Sequence, residues 1–294
     1  IFDCFMYYDE DLVLDLRLNI LYDHVDEFVI VESKFTHSGE KRQLLFDLKK
    51  YSKFKNKINY IILDKEPDNL EIINTEDSED KKNSKYIMNA LKRENFQRNT
   101  IIKGLKSANS EDLIIVSDVD EIPNLLELNF KKFKDEIILF KQNFYYYKFN
   151  LKLENMPWYG SKACRFKIFK SPQWLRNIKA KNYPIWRLDV LFSDKKYSNI
   201  IFIENGGWHF SNMKTAENIE KKMRTYLHHR EYDIKPLGTE KIKEIIKNKK
   251  SIYNLRADMK ADKIDGTQDL KLTDGNELPE FIKKNREKYS SWIE

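Results

Sequence analysis

Three carboxylates fall within four residues at Asp118-Val119-Asp120-Glu121, directly after Leu113-Ile114-Ile115-Val116, the most apolar run in the chain. An open α/β sheet presents its ligands just beyond the carboxyl ends of its strands, so acids in this place suggest a site. In an extended turn, residues two apart face the same side, which lets Asp118 and Asp120 share one divalent cation. Mg²⁺ or Mn²⁺ takes oxygen ligands and is held by one or two carboxylates together with substrate phosphates. The competing reading is that the acids only cap a helix entered at Pro123.

Three further groups could work with them. In Arg93-Glu94-Asn95-Phe96-Gln97-Arg98, on the helix expected before that strand, residues 94, 97 and 98 share one face. Acid, amide and guanidinium together suit a diphosphate or a ribose, or else a solvated face with an internal ion pair. Gly206-Gly207-Trp208-His209-Phe210-Ser211 follows a short apolar run, and its glycines permit close approach of backbone to a ligand. His209 is there either a cation ligand or a packing residue, while His228, His229 and Glu231 are weaker candidates and His24 and His37 weaker still. Trp158-Tyr159-Gly160, with Tyr145-Tyr146-Tyr147, offers rings that can stack on a sugar or fill a core.

The elements that must position these groups change character midway. Apolar runs at residues 1–7, 28–31, 58–63 and 113–116 alternate with helical patterns, which predicts a mainly parallel sheet covered by helices. Asp11 is expected to cap the first helix, and a long helix is expected over residues 85–106 after a polar connection at 64–84. Later runs at 137–140, 144–149, 163–169 and 200–203 are separated by turns, which predicts a small antiparallel extension. Helices are expected at 216–227, 241–249 and 279–289. The expectation is one α/β domain over 1–294, with a nucleotide-binding half (1–123), an acceptor half (124–235) and a helical C-terminal tail (236–294).

Composition excludes several classes. The chain of 294 residues carries 53 basic and 47 acidic side chains, a net charge of +6, too mixed to argue for nucleic acid. That balance suits anionic small substrates or loose contact with an anionic membrane surface. Cys4 and Cys164 are far apart in apolar runs and are expected as buried free thiols, and a cytoplasmic protein, with room for contact at the inner face of the membrane, is the default expectation.

Taken together, the segments IFDCFMYYDE, FVIVES followed by THSG, RENFQRN, IIVSDVDEIP, WYGSKA, GGWHFS and Asp265-Gly266-Thr267 resemble glycosyltransferase family 17, the family of the β-1,4-mannosyl-glycoprotein 4-β-N-acetylglucosaminyltransferases. The resemblance implies a GT-A-like nucleotide-sugar-binding fold, Mn²⁺ or Mg²⁺, a UDP-sugar donor (UDP-N-acetylglucosamine) and inversion at the anomeric carbon. It places Asp118 and Asp120 in the metal and donor motif, Arg98 and Glu121 beside it, and His209 as a late metal ligand. The expected donor-binding set is Glu32, Arg93, Glu94, Arg98, Asp118 and Glu121. Trp158, Tyr159 and Trp208 are expected against a glycan or glycolipid acceptor. The catalytic base is expected to be Asp265, which matches a family position, with Glu231 second. Two rival readings remain at this level: a haloacid-dehalogenase-type phosphatase with Asp118 as nucleophile, and a non-catalytic carbohydrate-binding module.

Overall fold

The computed structural model describes residues 1–126, 128–184, 186–226, 229–253 and 268–294, and of Leu188, Leu191, Glu231 and Ile234 the backbone alone. Asp265-Gly266-Thr267 and His228 therefore lie outside the described residues, as does the side chain of Glu231. The first half runs β1 (Phe2–Tyr7), α1 (Asp11–Leu21), β2 (Glu27–Ser33), β3 (Ile58–Leu63), α2 (Glu79–Asn99) and β4 (Leu113–Val116). The second runs β5 (Glu121–Pro123), β6 (Ile137–Phe140), β7 (Gln142–Tyr146), β8 (Leu151–Trp158), β9 (Lys162–Arg165), α3 (Pro172–Asn177), α4 (Leu188–Leu191), β10 (Ile200–Ile203) and β11 (Gly207–Ser211). It ends with α5 (Ala216–Met223), α6 (His229–Ile234), α7 (Thr239–Lys247), β12 (Lys271–Leu272) and α8 (Glu280–Lys284).

A seven-stranded sheet in the order β10-β6-β9-β4-β1-β2-β3 forms the centre, with only β9 antiparallel to its neighbours. Its inner strands are apolar on both faces, as strands covered by helices on both sides must be. Phe5, Phe28, Ile30, Leu113 and Ile115 pack on the α1 side, while Cys4, Val29, Val31, Ile114 and Val116 face Ile101, Trp174 and Leu175. A second sheet, β12-β8-β7-β11-β5, is antiparallel except where β11 meets β7, and α5 and α7 cover it. This is a mixed α/β architecture with a mainly parallel central sheet. Cys4 and Cys164 are both buried and free.

Several boundaries move for identifiable reasons. The long helix starts at Glu79, capped by Ser78 and carrying Glu79 and Asp80 where the positive end of the helix dipole favours acids. Its polar first turns disguised it as connection. Asp11 is the first helical residue rather than a cap; its carboxylate accepts from Tyr7, Tyr51 and Lys50. The tail is only partly helical, because β12 leaves it to pair with β8.

One ionised pair in this core bears directly on the acidic loop. Asp3, the second residue of β1, and Arg17, on the inner face of α1, are both fully buried. Arg17 grips Asp3 in a two-pronged contact (2.7 and 2.5 Å) and donates to Ser117 Oγ at 2.6 Å. Its remaining nitrogen donates to the carbonyls of Asp118 (3.1 Å), Val119 (3.3 Å) and Glu121 (2.8 Å). Arg17→Met should strand the Asp3 carboxylate in an apolar interior and cost about 3–5 kcal/mol. Urea unfolding followed by circular dichroism measures this, and a loss under about 1 kcal/mol would contradict the role given to the pair.

Candidate active site

Residues 118–120 bridge the two sheets: β4 ends in the main sheet at Val116, and β5 begins at Glu121 against β11. The register sets His209 opposite Glu121, and Phe210 N donates to Asp120 O at 2.8 Å. A cavity of about 500 Å³ opens at this junction. Tyr7 at the end of β1, Tyr8 and Glu10 after it, and Glu94 and Gln97 of α2, line one side. Phe144, Tyr146, Trp158 and His209 line the other.

The three acids have separate fates. Asp118 remains 38 % exposed and is held by two guanidiniums, Arg176 at 2.9 Å and Arg98 at 3.2 Å. Burial opposes its ionisation, yet Arg176 and then Arg98 outweigh that and hold the carboxyl well below the usual carboxylate range. Asp120 is likewise opposed by burial and lowered by His209, whose Nε2 stands 3.6 Å from Asp120 Oδ2. Glu121 is almost wholly buried, and its carboxylate accepts from Trp158 Nε1 (2.6 Å), Arg176 Nη1 (2.7 Å) and the Asp118 amide (2.7 Å). Gly160 leaves the room: a Cβ there would stand 2.0 Å from that carboxylate.

Of the residues expected at a site, Glu94, Arg98, Asp118, Asp120, Trp158 and His209 come together. Trp158 stacks on His209 at 4.8 Å, and Phe144 packs against both, 4.1 Å from the imidazole and 5.2 Å from the indole. Others do not join them. Glu32 spends its carboxylate on Arg42, Tyr60 and the amides of Leu45 and Phe46, which pins residues 42–46 to the sheet. Arg93 turns outward to Glu66 (2.5 Å) and packs on Gly39. Tyr159 packs edge-on against Phe202. Trp208 alternates away from His209 into the core, donating to the Glu277 carbonyl. Gly207 serves strand pairing rather than a ligand: at φ +127°, a Cβ would lie 2.1 Å from the Ile122 carbonyl.

Sequence reasoning missed Arg176, on a short helix without an apolar period, and Lys222, one charge among many on α5. Lys222 lines the cavity and has no ion-pair partner among the described residues. His37, among the weakest candidates in the sequence, also lines it, its Nε2 donating to Gln97 Oε1 (3.2 Å); burial lowers its pKa.

The side chains fit a small divalent cation at one place. Asp120 Oδ2 and His209 Nε2 are close enough for both to reach an ion about 2.1 Å from each. His209 Nδ1 is buried without a partner. Among the described residues no group of three His, Cys, Asp or Glu converges on one point, so a cation here would complete its shell with phosphate and water oxygens.

Arg176 is itself held from behind by Lys162, whose buried ammonium donates to the carbonyls of Arg176 (2.5 Å) and Ile178 (2.6 Å). Burial, then the nearby Arg176 charge, push the Lys162 pKa down to about 7. The unfolded chain, with a lysine pKa of about 10.4, binds a proton that the folded state releases above about 7, so this group makes stability rise with pH. Buried Cys4 and Cys164, whose thiols are pushed up, pull the other way above about 8.5. Unfolding free energy should therefore climb by roughly 2 kcal/mol from pH about 7 to about 8.5 in the wild type and not in Lys162→Met. Equal slopes in the two proteins would refute the assignment.

The family model of glycosyltransferase family 17 matches residues 1–181. That span holds the acidic loop, Arg98, Trp158 and Arg176, and stops short of His209 and Lys222. No curated protein and no solved structure matches the chain. A match over more than half the chain, including the strand and acidic loop that build the cavity, leads to one conclusion: the chain belongs to glycosyltransferase family 17.

Proposed function

We propose that the protein is a cation-dependent, inverting transferase that moves N-acetylglucosamine from UDP-N-acetylglucosamine to a hydroxyl of a glycan or glycolipid. The observation that carries this reading is the pairing of Asp120 with His209 on one wall of an aromatic-lined cavity, beside a second aspartate clamped by two arginines. Family membership favours it over the phosphatase and over the binding module.

Asp120 and His209 would hold Mn²⁺ or Mg²⁺, which when bound stabilises negative charge on a departing nucleoside diphosphate. Asp118, kept ionised by Arg176 and Arg98, presents its exposed edge to donor hydroxyls and is not the main cation ligand. Lys222 supplies a positive charge facing the same anion. Tyr8 and Trp158 offer ring faces to the sugars. The acceptor proton needs a carboxylate free of cations. Among the described residues lining the cavity, Glu10 is such a group, accepting only from the amides of Tyr8 and Asp9. The sequence supplies Asp265 and Glu231 as further candidates.

Calorimetric titration of Mn²⁺ in the presence of UDP tests the division of labour. Asp120→Asn and His209→Ala should each weaken Mn²⁺ by about a hundredfold, whereas Asp118→Asn should keep that affinity within a few-fold and lose donor turnover by about a hundredfold. Equal loss of Mn²⁺ binding in Asp118→Asn would move the cation to Asp118. Wild-type turnover in all three variants would end the reading. Glu10→Gln and Asp265→Asn then identify the base, as the variant that loses transfer while still binding Mn²⁺ and UDP.

A further inference from the structure

Residues 179–197 leave the body of the protein directly after α3 and are tied at their base. Lys179 N donates to Lys195 O (2.8 Å), Tyr183 N to Tyr197 O (3.2 Å), and the Asn182 side chain brackets Ile200 through both its oxygen and its nitrogen. From this pinned base Trp186 and Phe192 project into solvent at 84 % and 90 % exposure. Such exposure of two large rings on one segment costs solvation that no contact among the described residues offsets, which marks an interaction surface.

The charges around the rings say what it meets. The loop carries Lys179, Lys181, Arg187, Lys195 and Lys196 against Asp189 and Asp194. Asp189 is taken by Arg187 and Lys196, and Asp194 by Lys170. Lys179, Lys181 and Lys195 have no carboxylate partner among the described residues. An exposed aromatic pair on a segment whose base carries ammonium groups without carboxylate partners matches the boundary of an anionic bilayer, where aromatic side chains settle at headgroup level and lysines reach the phosphates. A second copy of the loop would set like charges face to face. A glycan platform would need polar neighbours to bind hydroxyls, and Phe192 has no polar handle.

We propose that residues 179–197 dock the protein on an anionic phospholipid surface, with Trp186 and Phe192 entering the headgroup boundary and Lys179, Lys181 and Lys195 resting among the phosphates. The segment follows the helix whose Arg176 holds Asp118, so the docking face is close in the chain to a wall of the site. The proposal does not depend on which sugar the site transfers.

Co-sedimentation with vesicles of phosphatidylcholine alone, and of phosphatidylcholine mixed with phosphatidylglycerol, tests it on the full chain. The wild type should bind the mixed vesicles, and added salt should weaken that binding. Trp186→Ala combined with Phe192→Ala should reduce partitioning by about tenfold or more, and Lys179→Glu combined with Lys195→Glu should abolish the preference for anionic lipid. UDP-sugar hydrolysis without vesicles should be unchanged in both double variants, which separates failure of this proposal from failure of the transferase reading. Quenching by brominated lipid should be clearly weaker in Trp186→Phe than in the wild type. Equal sedimentation with and without phosphatidylglycerol would overturn the proposal. So would a dimer lost in Trp186→Ala/Phe192→Ala, or a soluble oligosaccharide that shifts the fluorescence of the wild type but not of Trp186→Phe.

Discussion

The buried Arg17–Asp3 pair is the constraint on which the site depends. A charge on a buried parallel strand is costly unless it is paired and hydrogen-bonded, and Arg17 meets both needs. It then uses its remaining nitrogen on three carbonyls of the acidic loop. With those carbonyls directed inward, the Asp118 and Asp120 carboxylates are left to face the cavity. The pair is better understood as fixing the geometry of the loop than as adding net stability, since an apolar pair of equal volume can stabilise a core as well.

Electrostatics then differentiates three neighbouring acids that are chemically alike. Glu121 is consumed by protein donors and acts as a strut between Arg176, Trp158 and the Asp118 amide. Asp118 lies between two guanidiniums, and Asp120 faces an imidazole. Because Arg98 also holds Glu94 and Gln173, it links the α2 face to the α3 wall across the aspartate. The site is thus a charge network whose guanidiniums come from α2 and α3 and whose aspartates come from one loop.

The inner strands and the acidic loop were legible because buried parallel strands are continuous apolar runs, and charge breaking such a run stands out. Glu94, Gln97 and Arg98 were legible from helical spacing. Glu32 and Arg93 looked equally suited to a donor, but sequence cannot say that Glu32 would be claimed by the amides of Leu45 and Phe46, or that Arg93 lies on the outer side of its helix. Arg17 and Arg176 were invisible for a related reason. Each acts on residues more than fifty positions away, and nothing local distinguishes it from the many other cations of a chain with 53 basic side chains.

The pairing of β5 with β11 carries the last step of assembly. Asp120 arrives from the main sheet and His209 from the second, so their approach depends on one antiparallel register, Gly207 opposite Pro123 and His209 opposite Glu121. Side chains alternate along a strand, and a slip of one residue would turn His209 into the core and bring Trp208 to the cavity. Gly207 prevents that slip, since only a residue without a Cβ can sit at φ +127° against the Ile122 carbonyl. The same alternation explains why Trp208 was a plausible acceptor contact in sequence and a core residue in space. The conformation of a single glycine therefore decides which of two adjacent aromatic side chains, an imidazole or an indole, stands beside the aspartate.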